Sequence, residues 1–460
     1  MPLFVTREVV EITGGWLVAG LMTTAFRRVW TDSRTVRRGD LFVALSGERF
    51  DGHAYVEEAL KKGAVGALVR PGYYRHQNVG AAVVVEVADP LRGYQDLAAA
   101  HRRRFAVPVV AVSGSNGKTT TKEMVGCVLS ERFNTLVTVG NLNNHIGVPQ
   151  TLLRMTGKHE AAVIEMGISH VGEMTRLCEI AAPTHGLLTN IGPTHLETLL
   201  NVETVAQAKG EMLETLPATG TAILNADDPF FKTLSRRASG RVLSFGFAAT
   251  ADVRGIHSTS KGPASTTLHV RVHRRARVFS VKLRVSGRHN LSNALAAVGT
   301  GIALGVSVRA ISKGLAGYRP RAMRSEVRRW RGVTVLKDCY NANPASLRAA
   351  LQWLIDSRGA GRAFAVLGDM LELGEGAARV HRDIGEELAR QGIEYVLTTG
   401  PLAAEIARGA REGGMTADHA MEAVDHEALA GRLRQLLQPG DIVLVKGSRG
   451  ARMERVVEAL

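Results

Sequence analysis

The 460-residue chain is long enough for two to four domains, with three the natural expectation. Its 45% hydrophobic and 22% charged residues are typical of a globular protein with several cores, and three widely spaced cysteines argue against a disulfide framework or a structural zinc site. The net charge of +15 would suit nucleic acid, but the basic residues are dispersed and only 5% of residues are aromatic, so we expect no nucleic-acid partner. The chain shows neither a signal-peptide pattern nor an apolar run of roughly 18 residues, so we expect a cytoplasmic protein without stable membrane insertion.

Short apolar runs near the N-terminus predict strands, and a helical pattern lies between two of them. The predicted strands are 41–45, 65–69 and 82–87, and the predicted helix is 55–62. We assign residues 1–104 to a small α/β domain, and we place a linker at 102–108.

The rest of the chain alternates strands with helices. Strands are predicted at 109–113, 161–165, 184–189 and 221–225, helices at 119–130 and 290–305, and an antiparallel edge at 266–285. Continuous apolar strands that alternate with helices indicate a mostly parallel sheet covered on both faces. After a boundary near Tyr318 the alternation resumes, with strands at 334–338, 363–368, 395–399 and 442–446. We therefore predict an α/β protein with a central, mostly parallel sheet domain over 105–318 and a Rossmann-like domain over 319–460.

The most specific motif is Ser113-Gly-Ser-Asn-Gly-Lys-Thr-Thr120, between a predicted strand and a predicted helix. Gly114 and Gly117 allow the loop backbone to curl around phosphates, Lys118 supplies a mobile positive charge, and Thr119 supplies a hydroxyl for a magnesium ion. Val112 occupies the position where the full phosphate-loop pattern has glycine, so the match is to a shortened variant. The pattern predicts ATP binding, with loop contacts from Ser115, Asn116 and Thr120 as well.

The chain resembles the Mur ligases along its whole length. The motifs that carry the resemblance occur in order: Gly114 to Thr120, Glu165, Gly192-Pro-Thr-His195, Ala208-Lys-Gly-Glu211, His289-Asn-Leu-Ser-Asn293, Arg324, Asp338 and Lys446-Gly-Ser-Arg449. Each motif is weak alone, and the ordered series is specific.

The resemblance implies a set of catalytic and binding residues. Magnesium would be held by Thr119, Glu165 and His195, and by Lys209 once carbon dioxide has converted its amine to a carbamate. Lys118, His195, Lys209 and Arg324 would be catalytic. Asn290 and Asn293 would contact the nucleotide base, although a helix N-cap is the simpler interpretation of Asn290. Arg324 and Asp338 would close over ATP.

Further segments are similar to those of the family member that adds D-alanyl-D-alanine: Val139 to Pro149, Asp338 to Pro344 and Leu367 to Gly374. Thr31-Asp-Ser-Arg34 and Ala44-Leu-Ser-Gly47, followed by Asp51-Gly-His53, resemble a uridine-nucleotide-binding segment, although turn chemistry alone would also explain their polar residues. The resemblance therefore implies that the domain over 1–104 binds the UDP substrate. The substrate-binding residues that this resemblance implies are Ser33, Arg34, Gly47, Asn141, Asn144, Asn341 and Asn343.

The implied reaction is the ATP-dependent joining of D-Ala-D-Ala to UDP-N-acetylmuramoyl-tripeptide through an acyl phosphate, by a monomeric enzyme. Three alternatives stay open at this point. They are a sister ligase of the folylpolyglutamate type, a nucleic-acid-dependent P-loop ATPase, and a binding module without catalysis.

Overall fold

The computed structural model describes residues 2–47, 50–73, 80–260, 262–273 and 278–460. The chain divides into two compact units. The first unit contains residues up to Ala111 together with Asn134–Gly167 and Glu173–Thr184, and the second contains Val112–Phe133, Ile168–Gly172 and His185–Leu460. Along the described ranges, no helix is long and apolar enough to cross a membrane.

The N-terminal part of the first unit is a five-stranded sheet with order β2-β9-β8-β5-β4, in which β2 alone is antiparallel to its neighbour. Phe42, Val56 and Val84 lie in a core that the helix α2 covers. The elements are β1 (Phe4–Val5), α1 (Thr6–Thr13), β2 (Trp16–Ala19), β3 (Ala25–Phe26), β4 (Arg28–Trp30), β5 (Asp40–Val43), β6 (Ser46–Gly47), β7 (Phe50–Asp51), α2 (Val56–Lys61), β8 (Gly66–Val69), β9 (Val83–Glu86) and α3 (Pro90–Arg102).

The central elements alternate strands and helices as the sequence predicts. They are β10 (Val109–Ser113), α4 (Lys118–Leu129), β11 (Thr135–Val137), α5 (Gly147–Leu152), β12 (Ala161–Glu165), α6 (Glu173–Ala181), β13 (His185–Leu188), α7 (Leu196–Leu199), α8 (Val202–Glu214), β14 (Thr221–Asn225), α9 (Phe231–Arg237), β15 (Arg241–Gly246), β16 (Val253–Ser260), β17 (Thr266–Val272), β18 (Val278–Leu283), α10 (Arg288–Ala303) and α11 (Val308–Gly317).

The boundary between the units runs through β10, so its two ends belong to different units. In the first unit the strand order is β11-β12-β10, and in the second it is β10-β13-β14-β15-β16-β17-β18. Strands β13 to β16 pair in parallel, and β16, β17 and β18 pair antiparallel. The predicted antiparallel edge is confirmed for its described residues.

The C-terminal part of the second unit is a six-stranded sheet with order β19-β20-β24-β21-β22-β23, antiparallel only at β19. One apolar core contains side chains from α12, α13 and α14, and a second contains side chains from α15 and α16. Helices thus cover both faces of the sheet, which confirms the predicted Rossmann-like architecture. The elements are β19 (Glu326–Trp330), β20 (Val333–Asp338), α12 (Pro344–Ser357), β21 (Ala363–Gly368), α13 (Ala377–Arg390), β22 (Tyr395–Thr399), α14 (Ala403–Glu412), β23 (Ala420–Glu422), α15 (His426–Leu436), β24 (Ile442–Lys446) and α16 (Glu454–Glu458).

The segment predicted as a linker after α3 is held by the side chain of Arg102. Its guanidinium is buried and donates to the carbonyls of Ala181, Phe105 and Val107, at 2.9, 2.6 and 3.1 Å. Residues 103–108 form neither helix nor strand, but these bonds fix their path. The exact domain boundaries at 104 and 318 stay predictions.

Candidate nucleotide and metal site

The phosphate loop connects β10 to α4 in the second unit, and two glycines are required by its geometry. Gly114 has φ +140°, and a Cβ there would lie 2.0 Å from the Thr189 hydroxyl. Gly117 has φ +78°, and a Cβ would lie 2.5 Å from Oδ1 of Asn293. Val112 occupies the position where the longer loop pattern has its first glycine, and it is buried inside β10. This position therefore belongs to the strand and not to the loop. The loop is therefore short, and a residue with a Cβ would not fit at either Gly114 or Gly117.

Hydrogen bonds from the end of β13 fix the backbone of the loop. Asn190 accepts from the Asn116 amide through its side chain, at 3.0 Å, and from the Ser115 amide through its carbonyl, at 2.8 Å. The Thr189 hydroxyl donates to the Asn116 carbonyl. Lys118 Nζ donates to the carbonyls of Gly114 and Ser115, at 2.8 and 3.2 Å, so it folds over the loop. This is the geometry of a phosphate cradle at a helix N-terminus.

The hydroxyl-bearing residues of the motif lie in the first turn of α4. Thr119 is buried at 4% exposure, as expected for a metal-ligand hydroxyl beside the phosphates. Thr120 is hydrogen-bonded to Tyr318. Burial is the main reason that the pKa of the Tyr318 hydroxyl is raised, so that residue stays neutral.

Asn290 and Asn293 lie in the first turns of α10 and are nearly buried, at 2% and 6% exposure. The helix begins after Gly287, so Asn290 is not its N-cap. Its Nδ2 donates instead to the Ser286 carbonyl at 2.9 Å. Gly117 lies directly beside the Asn293 amide, which brings Asn293 to the phosphate loop. The structure thus brings one of the two predicted base contacts to the phosphate loop.

His195 and Lys209 lie on successive elements of the second unit. His195 is the N-cap of α7 with φ +51°, a strained conformation for a non-glycine residue, and its Nδ1 is 2.8 Å from Oε2 of Glu372. This hydrogen bond is the main reason that the pKa of Glu372 is lowered. Lys209 is fully buried in α8. Its neighbour Glu211 accepts from the Gly172 amide at 2.7 Å.

Glu165 ends β12 in the first unit and is 1% exposed. Its Oε1 accepts from Nδ2 of Asn143 at 2.8 Å, and its backbone amide donates to the Thr138 hydroxyl at 3.0 Å. A carboxylate at the buried end of a strand is costly without such partners. Asn144, in contrast, accepts from the amides of Ile146 and Gly147 and so shapes the turn before α5, while Asn141 is exposed.

In the C-terminal part, Asp338 and Lys446 are opposite each other at the ends of β20 and β24. Lys446 is 3% exposed, forms an ion pair with Asp338 and donates to the Asn341 carbonyl at 2.9 Å. Burial opposes ionisation of Asp338, but the ammonium of Lys446 and the Ser325 amide hold its pKa below the usual value. The Arg324 guanidinium stacks on the Tyr340 ring at 3.7 Å.

Asn343 is the N-cap of α12 and contacts the phosphate loop. Its Oδ1 accepts from the Ser346 amide at 2.8 Å, and its Nδ2 donates to Oδ1 of Asn116 at 2.9 Å. Asn341 is exposed, and its Oδ1 accepts from the Ala342 amide at 2.9 Å. The two predicted substrate asparagines therefore differ in surroundings, since only Asn343 contacts a nucleotide-site residue.

In the first unit, the predicted uridine-nucleotide residues lie on two turns. Asp32 accepts from the backbone and guanidinium of Arg34, which is 83% exposed, and Ser33 accepts from Lys62 through its carbonyl at 3.2 Å. Gly47 is exposed on the β6–β7 hairpin.

The hairpin that carries Gly47 is held by a carboxylate. Asp51 accepts from the Ser46 hydroxyl at 2.9 Å, from Nδ1 of His53 at 2.6 Å and from Arg70 at 2.9 Å. Gly47 thus lies on β6, next to a residue whose hydroxyl is bonded to Asp51, while Arg34 is largely exposed.

No three His, Cys, Asp or Glu side chains form a metal cluster in the described part of the chain. The predicted donors still fit a hard divalent ion by their chemistry. Glu165 supplies a carboxylate and Thr119 a hydroxyl, the oxygen ligands that magnesium prefers. His195 donates through Nδ1 to a carboxylate, an arrangement that is typical of metal-binding imidazoles.

Three contacts were missed by the sequence analysis: those of Asn143, Asn190 and Glu372. Asn143 and Glu372 occur inside the segments quoted above, and Asn190 lies two residues before Gly192. The sequence pattern did not distinguish them from their neighbours, because each acts by touching a residue distant in the chain.

Three family models match the chain in order: Mur ligase family, catalytic domain, over 26–111; Mur ligase middle domain, over 112–301; and Mur ligase, glutamate ligase domain, over 323–449. The chain is 38% identical to the UDP-N-acetylmuramoyl-tripeptide--D-alanyl-D-alanine ligase of Escherichia coli strain K12 over 94% of this chain and 93% of that protein. The chain belongs to the Mur ligase family.

Solved structures of Mur ligases agree with this assignment. A crystal structure of MurF from Acinetobacter baumannii is 32% identical with a TM-score of 0.91, and the match covers 100% of this chain and 98% of the other. MurF ligase from Thermotoga maritima in complex with ADP is 31% identical with a TM-score of 0.83, covering 94% and 96%. The predicted three-domain Mur ligase architecture is therefore confirmed.

Proposed function

We propose that this Mur ligase joins D-alanyl-D-alanine to UDP-N-acetylmuramoyl-tripeptide at the expense of ATP, a step in peptidoglycan precursor synthesis. The observation that carries the proposal is the 38% identity, over 94% of the chain, to a ligase named for that reaction. The phosphate loop adds chemical support, because its glycines and Lys118 have the geometry of an ATP site. An ADP complex of a relative agrees with ATP use.

The chemistry begins with a carboxylate that an amine does not attack, because its charge and resonance make it a poor electrophile. Transfer of the γ-phosphoryl group of ATP to a carboxylate oxygen forms an acyl phosphate and ADP. The dipeptide amine then attacks the carbonyl carbon, and the C–N bond forms as the C–O bond to phosphate breaks. The amine loses a proton, and inorganic phosphate leaves. The transferring group is strongly anionic, so positioned cations stabilise its transition state.

Different residues of this chain are proposed to bind different parts of ATP. Lys118, at the phosphate loop, offsets charge on the transferring group, and the loop from Gly114 to Thr120, including Ser115 and Asn116, encloses the phosphates. Asn293, beside Gly117, and Asn290 contact the nucleotide base. Asp338 and Arg324 complete the ATP site from the C-terminal domain. These roles are supported by the hydrogen bonds and burial described above.

Thr119, Glu165 and His195 are proposed to hold magnesium. When bound, magnesium would supply positive charge that offsets the charge of the phosphates. We propose that Lys209 carries a carbamate, which turns a buried amine into an oxygen ligand. Its complete burial supports this assignment, because a lysine that serves only as a solvated surface charge is not expected to be fully buried.

The substrates are proposed to bind at the turns of residues 1–104 and at the asparagines of the central and C-terminal parts. Gly47, Ser33 and Arg34 would contact the uridine nucleotide, while Asn141, Asn144, Asn341 and Asn343 would contact the peptide substrates. We further propose that the enzyme is a monomer and acts in the cytoplasm, where ATP is available.

The test is phosphate release from ATP by the purified chain in the presence of magnesium and bicarbonate. Release should require both UDP-N-acetylmuramoyl-tripeptide and D-Ala-D-Ala, and mass spectrometry should find a product heavier by the dipeptide. Lys118→Met is the matched inactive control. Release that ignores the dipeptide, or that responds to a glutamate acceptor or to nucleic acid, would contradict the proposal.

A further inference from the structure

Glu372, in the loop that follows β21, reaches a residue of the nucleotide-binding part of the second unit. Its Oε2 is 2.8 Å from Nδ1 of His195. Glu372 is 59% exposed, and His195 is 27% exposed. Exposed ion pairs contribute about 0–1 kcal/mol to stability, so a stabilising role gives little reason for this contact.

The loop that carries Glu372 is fixed by two hydrogen bonds immediately before that residue. The Met370 amide donates to Nε2 of His381 at 2.9 Å, and the Leu371 amide donates to the Ser448 hydroxyl at 2.9 Å. Glu372 itself has φ +64°. Strained residues of this kind persist where the surroundings hold them, and they cluster at functional sites. His195 is strained as well, so two strained residues meet across the contact.

The contact determines which ring nitrogen of His195 faces a ligand. A carboxylate accepts a hydrogen bond from Nδ1–H, which leaves the lone pair of the neutral imidazole on Nε2. Metal-binding histidines commonly donate the other ring N–H to such an acceptor, which fixes both tautomer and ring orientation.

We propose that Glu372 is a positioning residue that orients His195 for the divalent ion. Because Glu372 comes from the C-terminal domain and His195 from the central domain, docking of the C-terminal domain completes the orientation of the imidazole. The C-terminal domain thereby contributes to assembly of the metal site. The inference rests on the metal role of His195 in the proposed function.

Two substitutions separate the role of the carboxylate from that of the backbone. Glu372→Gly removes the acceptor and suits the positive φ, so the loop keeps its path. Glu372→Gln retains an oxygen that accepts from Nδ1. Glu375→Ala removes an exposed carboxylate three residues further along and serves as the matched control.

The measurement is Mn²⁺ binding by the full chain with a non-hydrolysable ATP analogue, followed by the electron paramagnetic resonance of free Mn²⁺. Glu372→Gly should weaken Mn²⁺ binding roughly 10- to 100-fold, the range for partners of metal-binding residues. Glu372→Gln should restore most of the affinity, and Glu375→Ala should leave it unchanged. In ligase assays, the Mg²⁺ concentration for half-maximal rate should rise while the KM for D-Ala-D-Ala stays constant.

Equal Mn²⁺ affinity of Glu372→Gly and Glu375→Ala would overturn the inference. So would a failure of Glu372→Gln to restore binding when its thermal unfolding matches that of the unsubstituted chain. These outcomes differ from failure of the proposed function, which would appear as phosphate release independent of D-Ala-D-Ala in the unsubstituted chain.

Discussion

The buried pair of Asp338 and Lys446 provides a sharp test of how the C-terminal sheet is stabilised at the carboxyl ends of its strands. Lys446 is 3% exposed and is directly opposite Asp338 in the register of β24 with β20. Asp338→Asn leaves the ammonium buried without its counter-charge, and breaking a buried pair in this way costs about 3–5 kcal/mol. Replacing both partners removes the uncompensated charge, so Asp338→Asn combined with Lys446→Met should recover much of that loss.

Hydrogen–deuterium exchange of the two strands measures this cost locally. At about 1.36 kcal/mol per factor of ten, a loss of about 3 kcal/mol speeds exchange by roughly 100-fold or more. Peptides that cover 333–338 and 442–446 should show this acceleration in Asp338→Asn, and less of it in the double variant. Peptides from β8, in the first unit, provide the internal control. Exchange in Asp338→Asn within a few-fold of that in the unsubstituted chain would refute the reasoning.

Three further outcomes are expected. Lys118→Met should lower the rate of ATP-dependent ligation by roughly 100- to 1000-fold, as for loss of a transition-state charge partner, without changing the thermal unfolding temperature. Lys209→Ala should abolish any stimulation by bicarbonate, and the carbamate resonance expected in ¹³C spectra with labelled bicarbonate should disappear. Burial opposes ionisation of Asp441, but bonds from Arg362 and the Gln438 amide lower its pKa. Its stabilising contribution is therefore complete above its unfolded pKa of about 3.9 and is lost as the pH falls through the lower folded pKa. Asp441→Asn should flatten the acid side of the stability profile measured by urea unfolding.

The sequence was sufficient to locate the parallel strands and the phosphate loop. Strands such as Val109–Ser113 and Ile442–Lys446 are buried over their whole length, so continuous apolar runs marked their bounds. The loop was predictable because its chemistry depends on residues adjacent in the chain, namely Gly114, Gly117 and Lys118.

The contacts of the site could not be predicted in the same way. Asn290 was open to interpretation as an N-cap because the start of α10 is set by Gly287, whose φ of +87° depends on packing. Glu372 and Asn143 act through partners far away in the sequence, and no local pattern distinguishes them from neighbouring polar residues. The substrate-binding residues stay predictions, because their roles concern molecules that the fold alone does not specify.

The buried environment of Trp353 affects the behaviour of truncated forms of the enzyme. Its indole is 3% exposed, donates to the Ser286 hydroxyl at 2.5 Å and lies 3.3 Å from a Cβ built on Gly287. A fragment cut near residue 318 would expose this large apolar ring and leave its N–H to water. Such a fragment would be prone to self-association, and its changed tryptophan emission would report the loss of the neighbouring domain.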